Sequence, residues 1–256
     1  MKVCLLIPFY NHGSAIAQVV ASLRCLDLPC RIVDDGSDAE GQVALAKVAV
    51  AEAQWVTVQR LPRNQGKGGA VMAGCDAALA AGFTHVAQID ADGQHSASDV
   101  PRLLAAAQNR PEALVSGQPI YDNSIPRARY YGRYMTHIWV WINTLSLEIK
   151  DSMCGLRIYP LAATCAVWHR YRVGKRMDFD TEIMVRLAWQ GVPIIGIPTR
   201  VTYPLDGVSH FKMLRDNLLI TRMHTRLFFG MLLRLPKLLN RRMAGNALQP
   251  SNKAQR

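Results

Sequence analysis

The chain has 256 residues, half of them apolar and 19% charged, with a formal net charge of +11. That balance excludes an intrinsically disordered protein and allows one large buried core with appendages. The six cysteines form no C-x-x-C pair, which excludes a disulfide framework and reads as small buried hydrophobes of a reduced, cytosolic protein.

The apolar start of the chain is too short for a signal peptide and meets Tyr10-Asn11-His12-Gly13 at once, so it reads as a first strand. Short β-type runs at 3–7, 31–34, 55–60, 85–90 and 113–116 alternate with alanine-rich helical stretches at 14–26, 39–53, 68–81 and 98–109. That alternation predicts a mainly parallel sheet with helices on both faces. The second half offers a helix at 127–147, a strand at 155–159, a helix at 180–190 and a strand at 193–202. A last long helix is expected over 211–233, ended by Pro236, with a disordered tail after Arg242. The longest apolar stretch, 138–147, is interrupted by Asn143, Thr144 and Ser146 and falls short of the roughly 18 residues of a spanning helix.

The chemistry-bearing residues sit at the ends of these runs. The strand over 85–90 closes on Asp90-Ala91-Asp92, two carboxylates one residue apart where a parallel sheet opens its ligand crevice. Such hard oxygen ligands suit a divalent cation that comes with substrate phosphates; the alternative is turn and capping chemistry. His95 reads as a ligand or a loop residue, and Ser96 with Asp99 as a capping box. Val33-Asp34-Asp35-Gly36-Ser37 places acids at another strand tip, either to hold a base N–H or ribose hydroxyl or to form an ordinary turn. Asn64-Gln65-Gly66-Lys67-Gly68-Gly69, before a helix, suits an anion, with Lys67 as the cation, yet it matches neither the P-loop nor the dinucleotide pattern. Arg127, Arg129 and Arg133, interleaved with Tyr130, Tyr131 and Tyr134, fit either a diphosphate clamp or a solvated helix face. Asp178-Phe179-Asp180-Thr181-Glu182 opens a helix, where acids either satisfy the helix dipole or supply a general base. Spacing does not choose between Asp180 and Glu182.

In this order the motifs resemble the family 2 glycosyltransferases of GT-A fold. The series is Ile7-Pro8-Phe9-Tyr10-Asn11, Val33-Asp34-Asp35-Gly36-Ser37, Asn64-Gln65-Gly66-Lys67-Gly68, Asp90-Ala91-Asp92-Gly93-Gln94-His95, Cys154-Gly155-Leu156-Arg157 and Phe179-Asp180-Thr181-Glu182. Gln94-His95 after the D-x-D is most similar to the dolichyl-phosphate mannose and glucose synthase branch. The segment Asp206-Gly207-Val208-Ser209-His210-Phe211 resembles bacterial members encoded beside lipid acyltransferases. The chain departs from the family in Ala97 and Ser98, where proline or glutamate is usual, in Cys154 for a serine or threonine, and in lacking the C-terminal membrane helices of many lipid-linked relatives.

The resemblance implies a GT-A domain over 1–205; beyond it, residue pattern reads as a basic amphipathic helix over 206–240 and a disordered tail over 241–256. The resemblance also implies a nucleotide-diphosphate sugar donor, with Pro8 and Tyr10 lining the base, Asp34 and Asp35 on the nucleoside, and Asp90 and Asp92 organising Mg²⁺ or Mn²⁺. Lys67 joins the donor site, and Arg133 or Arg157 assists as the leaving diphosphate gains charge. Inverting transfer to a lipid or lipid-linked hydroxyl would want Asp180 or Glu182 as base; transfer to a polyprenyl phosphate would need none. A non-catalytic sugar-nucleotide-binding partner of a lipid-modifying complex is the alternative from another class.

Charge adds a location. Ten of the 30 Lys/Arg, but only Asp216 of the 19 acids, lie from His210 onward. Residues 218–229 mix apolar and cationic side chains, as in a helix lying on an anionic leaflet or one packed on its own domain. The expected place is cytoplasmic, peripheral on the inner face of the membrane, with a lipid acyltransferase as a possible partner. No helix-turn-helix, zinc or RNP-type motif supports nucleic-acid binding.

Overall fold

The computed structural model describes residues 1–120, 127–201 and 213–247, by backbone alone at 127–131 and 242–247. Strand β1 (Val3–Phe9) is buried along its whole length and sits centrally, flanked by parallel β2 (Cys30–Asp34) and β4 (His85–Gln88). Parallel β3 (Val56–Arg60) lies outside β2. With β5 (Leu114–Ile120), β6 (Arg157–Pro160) and β7 (Ile194–Arg200) the order is β3-β2-β1-β4-β6-β5-β7. All pairings are parallel except those of β6, which runs antiparallel to β4 and β5.

Side chains alternate across each strand, so β1 feeds two cores. Leu5, Ile7 and Phe9 pack with Ile16, Val20 and Leu45 under α1 (Gly13–Leu23) and α2 (Ala39–Ala51), and with Leu103 of α4 (Val100–Asn109). Cys4 and Leu6 face α3 (Lys67–Ala80), together with α6 (Leu161–Arg170) and α7 (Phe179–Gln190). Gly74 is the close-approach point: a Cβ there would lie 2.3 Å from Leu6 Cδ1. Helices α5 (Arg127–Thr144) and α8 (Met213–Leu232) pack together and extend this second core through Val140, Met223 and Leu227. All six cysteines are free, and only Cys25 is exposed.

Several expectations need adjustment. Strand β4 stops at Gln88, so Asp90 has left the ladder. Helix α6 was not expected at all. Pro236 does not simply end the chain's last helix, because α8 stops at Leu232 and a further helix, α9 (Leu235–Ala247), begins beside it. Proline is tolerated in a first helical turn, where its missing N–H has no partner to lose. Helix α9 therefore covers the start of the segment expected to be disordered, and residues 248–256 lie outside the described ones.

Candidate functional site

The strand order reverses between β1 and β4, and the crevice beyond their C-terminal ends is where open α/β sheets hold ligands. The candidate residues converge on that edge. At its centre Lys67, in the first turn of α3, donates to Asp90 Oδ2 at 2.8 Å and to Asp180 Oδ2 at 2.9 Å. Burial favours the neutral amine, but the two carboxylates prevail and hold the lysine charged, above its ordinary value. Burial likewise works against ionised Asp90, and the Lys67 ammonium outweighs it, keeping that carboxyl below the usual range.

Beneath this pair lies a buried polar network. Gln88 donates Nε2 to Asp90 Oδ1 at 3.1 Å and to the Gly155 carbonyl at 3.0 Å, while its Oε1 accepts from Tyr159 Oη at 3.2 Å. Arg157 Nη1 lies 3.4 Å from that hydroxyl and donates to the Asp180 carbonyl at 2.8 Å. Gly155 is required here because a Cβ would fall 1.8 Å from Asp90 Oδ2. Neither Gln88 nor Tyr159 was singled out from sequence; the available signal was a glutamine between the apolar residues Val86-Ala87 and Ile89, in a run that leads to Asp90.

Asp92 differs from Asp90. Its Oδ1 accepts the Gln94 N–H at 3.0 Å, and among the described residues it has no ion-pair partner. Burial and the neighbouring Asp90 charge push its carboxyl above the ordinary value. His95 is lowered by burial against the pull of both acids, and its buried Nδ1 has no hydrogen-bond partner. Among the described residues no three His, Cys, Asp or Glu side chains converge as a ready-made metal site. A hard cation that arrives with a diphosphate needs only one or two carboxylates from the protein, so an open Asp92 beside an ionised Asp90 fits such an ion.

The second strand tip is turned inward. Asp34 pairs with Arg60 Nη1 at 2.6 Å and accepts the Ser37 N–H at 2.9 Å. Asp35 accepts the N–H groups of Gln65 and Gly66, each at 2.7 Å, and so fastens the tip of β2 to the Lys67 loop. Burial raises the Asp35 carboxyl despite those two bonds. Pro8 is buried in β1 beside Val33, and Tyr10 stands half-buried just beyond the strand.

The expected arginines are committed elsewhere. Arg157 is 0% exposed and donates to the carbonyls of Cys154 (2.8 Å), Asp180 (2.8 Å) and Ser152 (2.7 Å). In this arrangement Arg157 braces Asp180 from beneath. Arg133 makes a two-pronged pair with Asp151, with Nη2 at 2.8 Å and 3.0 Å from the two carboxylate oxygens. The side chains of Arg127, Arg129, Tyr130 and Tyr131, and the segment 206–211, lie outside the described residues. The expected capping box is half present: Ser96 accepts the Ser98 N–H, whereas Asp99 turns to Arg102 and to the Arg200 N–H.

The two candidate bases separate. Asp180 borders Lys67 and Asp90, and its Oδ1 lies 3.7 Å from Arg157 Nη1. Glu182 is fully buried on another side of α7, where it accepts from Arg186 Nε at 2.7 Å, from Arg226 of α8 and from the Gly174 N–H at 2.9 Å. Two positions along an α-helix are about 200° apart, so these acids cannot serve one site.

A mixed, mainly parallel sheet with acids, a lysine and a glycine loop gathered at its switch point is the arrangement of the GT-A fold, and solved structures share it. Glucosyl-3-phosphoglycerate synthase from Mycobacterium tuberculosis, in complex with Mn²⁺ and uridine-diphosphate-glucose, matches with a TM-score of 0.64 at 14% identity, covering 90% of this chain and 78% of that one. A mannosyltransferase from Pyrobaculum calidifontis, in complex with GDP-Man and Mn²⁺, matches with a TM-score of 0.57 at 16% identity, covering 97% and 76%. The family model described as glycosyl transferase family 2 matches residues 4–172, and the chain belongs to that family as a glycosyltransferase. Similar relatives include the polyprenol monophosphomannose synthase of Mycolicibacterium smegmatis, 25% identical over 231 residues that make up 85% of this chain and 83% of that protein. The undecaprenyl-phosphate mannosyltransferase of Micrococcus luteus is 27% identical over 218 residues, 83% of this chain and 88% of that one.

Proposed function

We propose that this glycosyltransferase moves a sugar, with inversion, from a nucleotide-diphosphate sugar to the phosphate of a polyprenyl-phosphate lipid. The observation that carries the acceptor class is that both candidate bases are already ion-paired: Asp180 with Lys67, which it shares with Asp90, and Glu182 with Arg186 and Arg226. A hydroxyl acceptor needs a carboxylate free to take its proton, whereas a phosphate is already ionised and attacks unaided. Names among the relatives point the same way. The reading thus favours the polyprenyl-phosphate alternative over a lipid hydroxyl. A phosphate oxygen forms its bond to the anomeric carbon as the bond to the nucleoside diphosphate breaks on the opposite face. Asp92, with Asp90, would hold Mg²⁺ or Mn²⁺, whose chemistry is to neutralise charge on the departing diphosphate. Pro8 and Tyr10 would line the base, and Asp35 would shape the nucleoside side through the loop it fastens. Lys67 keeps Asp90 ionised and fixed. Supplied with undecaprenyl phosphate, labelled sugar nucleotides and Mn²⁺, the enzyme is expected to place label in the organic phase, and undecaprenol lacking the phosphate should stay unlabelled. Equal labelling of both lipids would reject a phosphate acceptor.

We also infer peripheral attachment to the inner face of the membrane. Among the described residues no helix is long and apolar enough to cross a membrane. Helix α8 nonetheless exposes Leu214 (89%), Leu218 (71%) and Phe229 (60%), and Leu233 just beyond it is 85% exposed. Arg215 and Arg222 are exposed on the same helix, and each cation near an anionic surface contributes about 1 kcal/mol. Replacing Leu214, Leu218 and Phe229 together by serine should release the protein from sedimenting vesicles rich in anionic phospholipid; unchanged sedimentation would reject this surface. The acyltransferase partner rested on 206–211, outside the described residues, and is not carried into this reading.

A further inference from the structure

Glu182 is a fully buried carboxylate that the proposed transfer does not use, and it binds three elements at once. It holds Arg226 of α8, Arg186 within α7, and the Gly174 N–H at 2.9 Å. Gly174 opens a short segment that leads into Phe179 and presses against the Lys67 loop at several points. The Gly69 N–H donates to the Lys175 carbonyl at 3.2 Å, Lys175 Nζ to Gln65 Oε1 at 3.0 Å, and Arg176 Nη1 to Asn64 Oδ1 at 3.2 Å. The contact is tight. A Cβ on Gly66 would lie 2.4 Å from the Lys175 carbonyl, and one on Gly68 would lie 2.5 Å from Phe179 Cβ. The same loop supplies Lys67 and gives its Gln65 and Gly66 N–H groups to Asp35. An unbroken series of bonds therefore runs from α8 through Glu182 and the 174–178 segment to both candidate donor-binding strand tips.

We propose that Glu182 and Arg226 are positioning residues: their ion pair seats the 174–178 segment on the Lys67 loop and thereby makes nucleotide binding depend on α8. The proposal rests on the donor-site reading given above, so its test includes a readout that needs neither donor nor turnover. Arg226→Gln, Arg226→Lys and Glu182→Gln are made in the full chain. Amide hydrogen exchange is followed at Gly174 and Gly69, whose N–H groups bond to Glu182 and to the Lys175 carbonyl, with α1 as internal control. Expected are at least tenfold faster exchange at both amides in Arg226→Gln and Glu182→Gln, unchanged protection in α1, and substantial recovery in Arg226→Lys. Affinity for UDP or GDP with Mn²⁺, measured well below the melting temperature, should weaken about tenfold in the two glutamine variants and recover in the lysine variant.

Unchanged exchange at Gly174 and Gly69 would overturn the proposal whatever the activity. Faster exchange at both amides with unaltered nucleotide affinity would overturn the link to the donor site. A Glu182→Gln variant that loses the acidic limb of its pH–rate profile, with Arg226→Gln unaffected, would instead make Glu182 a base and defeat the positioning role. If the wild-type chain transfers no sugar to polyprenyl phosphate yet the exchange pattern appears, the acceptor reading fails and the clamp stands.

Discussion

Replacing Asp92 by alanine is expected to lower kcat/KM for sugar transfer by about 10²–10³-fold, the loss seen when one preorganised charge-stabilising contact is removed from a transition state. The fold should survive. Asp92 is only partly buried, its carboxylate accepts the Gln94 N–H two residues on, and no cation depends on it for charge balance among the described residues. The melting temperature without ligand should therefore stay close to that of the parent, while the Mn²⁺ concentration for half-maximal rate rises steeply. Asp90 is the poorer probe, because its two oxygens already serve Lys67 and Gln88. Any variant there mixes lost chemistry with a broken buried pair. Steady-state rates across a Mn²⁺ titration decide the matter, and an Asp92→Ala enzyme with parental rate and metal response would remove this residue from the metal site.

The contrast between these two aspartates shows what the sequence carries and what it does not. Local pattern was enough for the alternating first half: the buried run of β1 and the acids beyond β4 are visible as hydrophobic period and strand-end chemistry. Direction was not, because nothing within Arg157–Pro160 records that β6 runs antiparallel to the strands beside it. Helix α6 escaped because Leu161–Arg170 follows a proline and reads as an irregular stretch until it packs on α3 and α7.

At the site, residue types were legible and bonding partners were not. Lys67 was identifiable as a cation in a glycine loop, yet the acids that fix it stand 23 and 113 positions away. Asp34 and Asp35 were visible as strand-tip carboxylates, but only the fold turns one to Arg60 and the other to two backbone N–H groups. Arg157 looked like a free cation beside a glycine turn. Each of its three nitrogens donates to a carbonyl that the tertiary fold brings there. The choice between Asp180 and Glu182 was open for the same reason: helical rotation separates them, but only the positions of Lys67 and α8 decide which faces the crevice.

The largest effect on stability is expected from Lys67→Met, which keeps an unbranched side chain one heavy atom shorter and removes the charge. Asp90 and Asp180 would then face each other across a site that no longer balances them. With the Lys67 and Asp90 side chains 22% and 20% exposed, the cost should fall between roughly 1 kcal/mol, as for a surface pair, and about 3–5 kcal/mol, as for a fully buried one. The penalty should depend on pH in a definite direction. In the parent the Asp90 carboxyl is held below its ordinary value, so its contribution is complete at neutral pH and is lost only as the pH falls through that depressed value. In the variant the lysine is gone, and burial, which already opposes ionisation of Asp90, is countered only by His95 and the Gln88 amide, so the carboxyl rises from its depressed parental value. Protonation then relieves the variant on going down in pH while the parent still keeps its ion pairs. The stability gap between parent and Lys67→Met should therefore be widest at pH 7–8 and narrow toward pH 5. The lysine itself adds no slope in this range, since the two acids hold it charged above its ordinary value. Urea denaturation of both proteins at pH 8 and pH 5 tests this. A gap below about 1 kcal/mol that is the same at both pH values would place Lys67 among surface ion pairs and deny the Lys67–Asp90–Asp180 centre the structural weight assigned to it here.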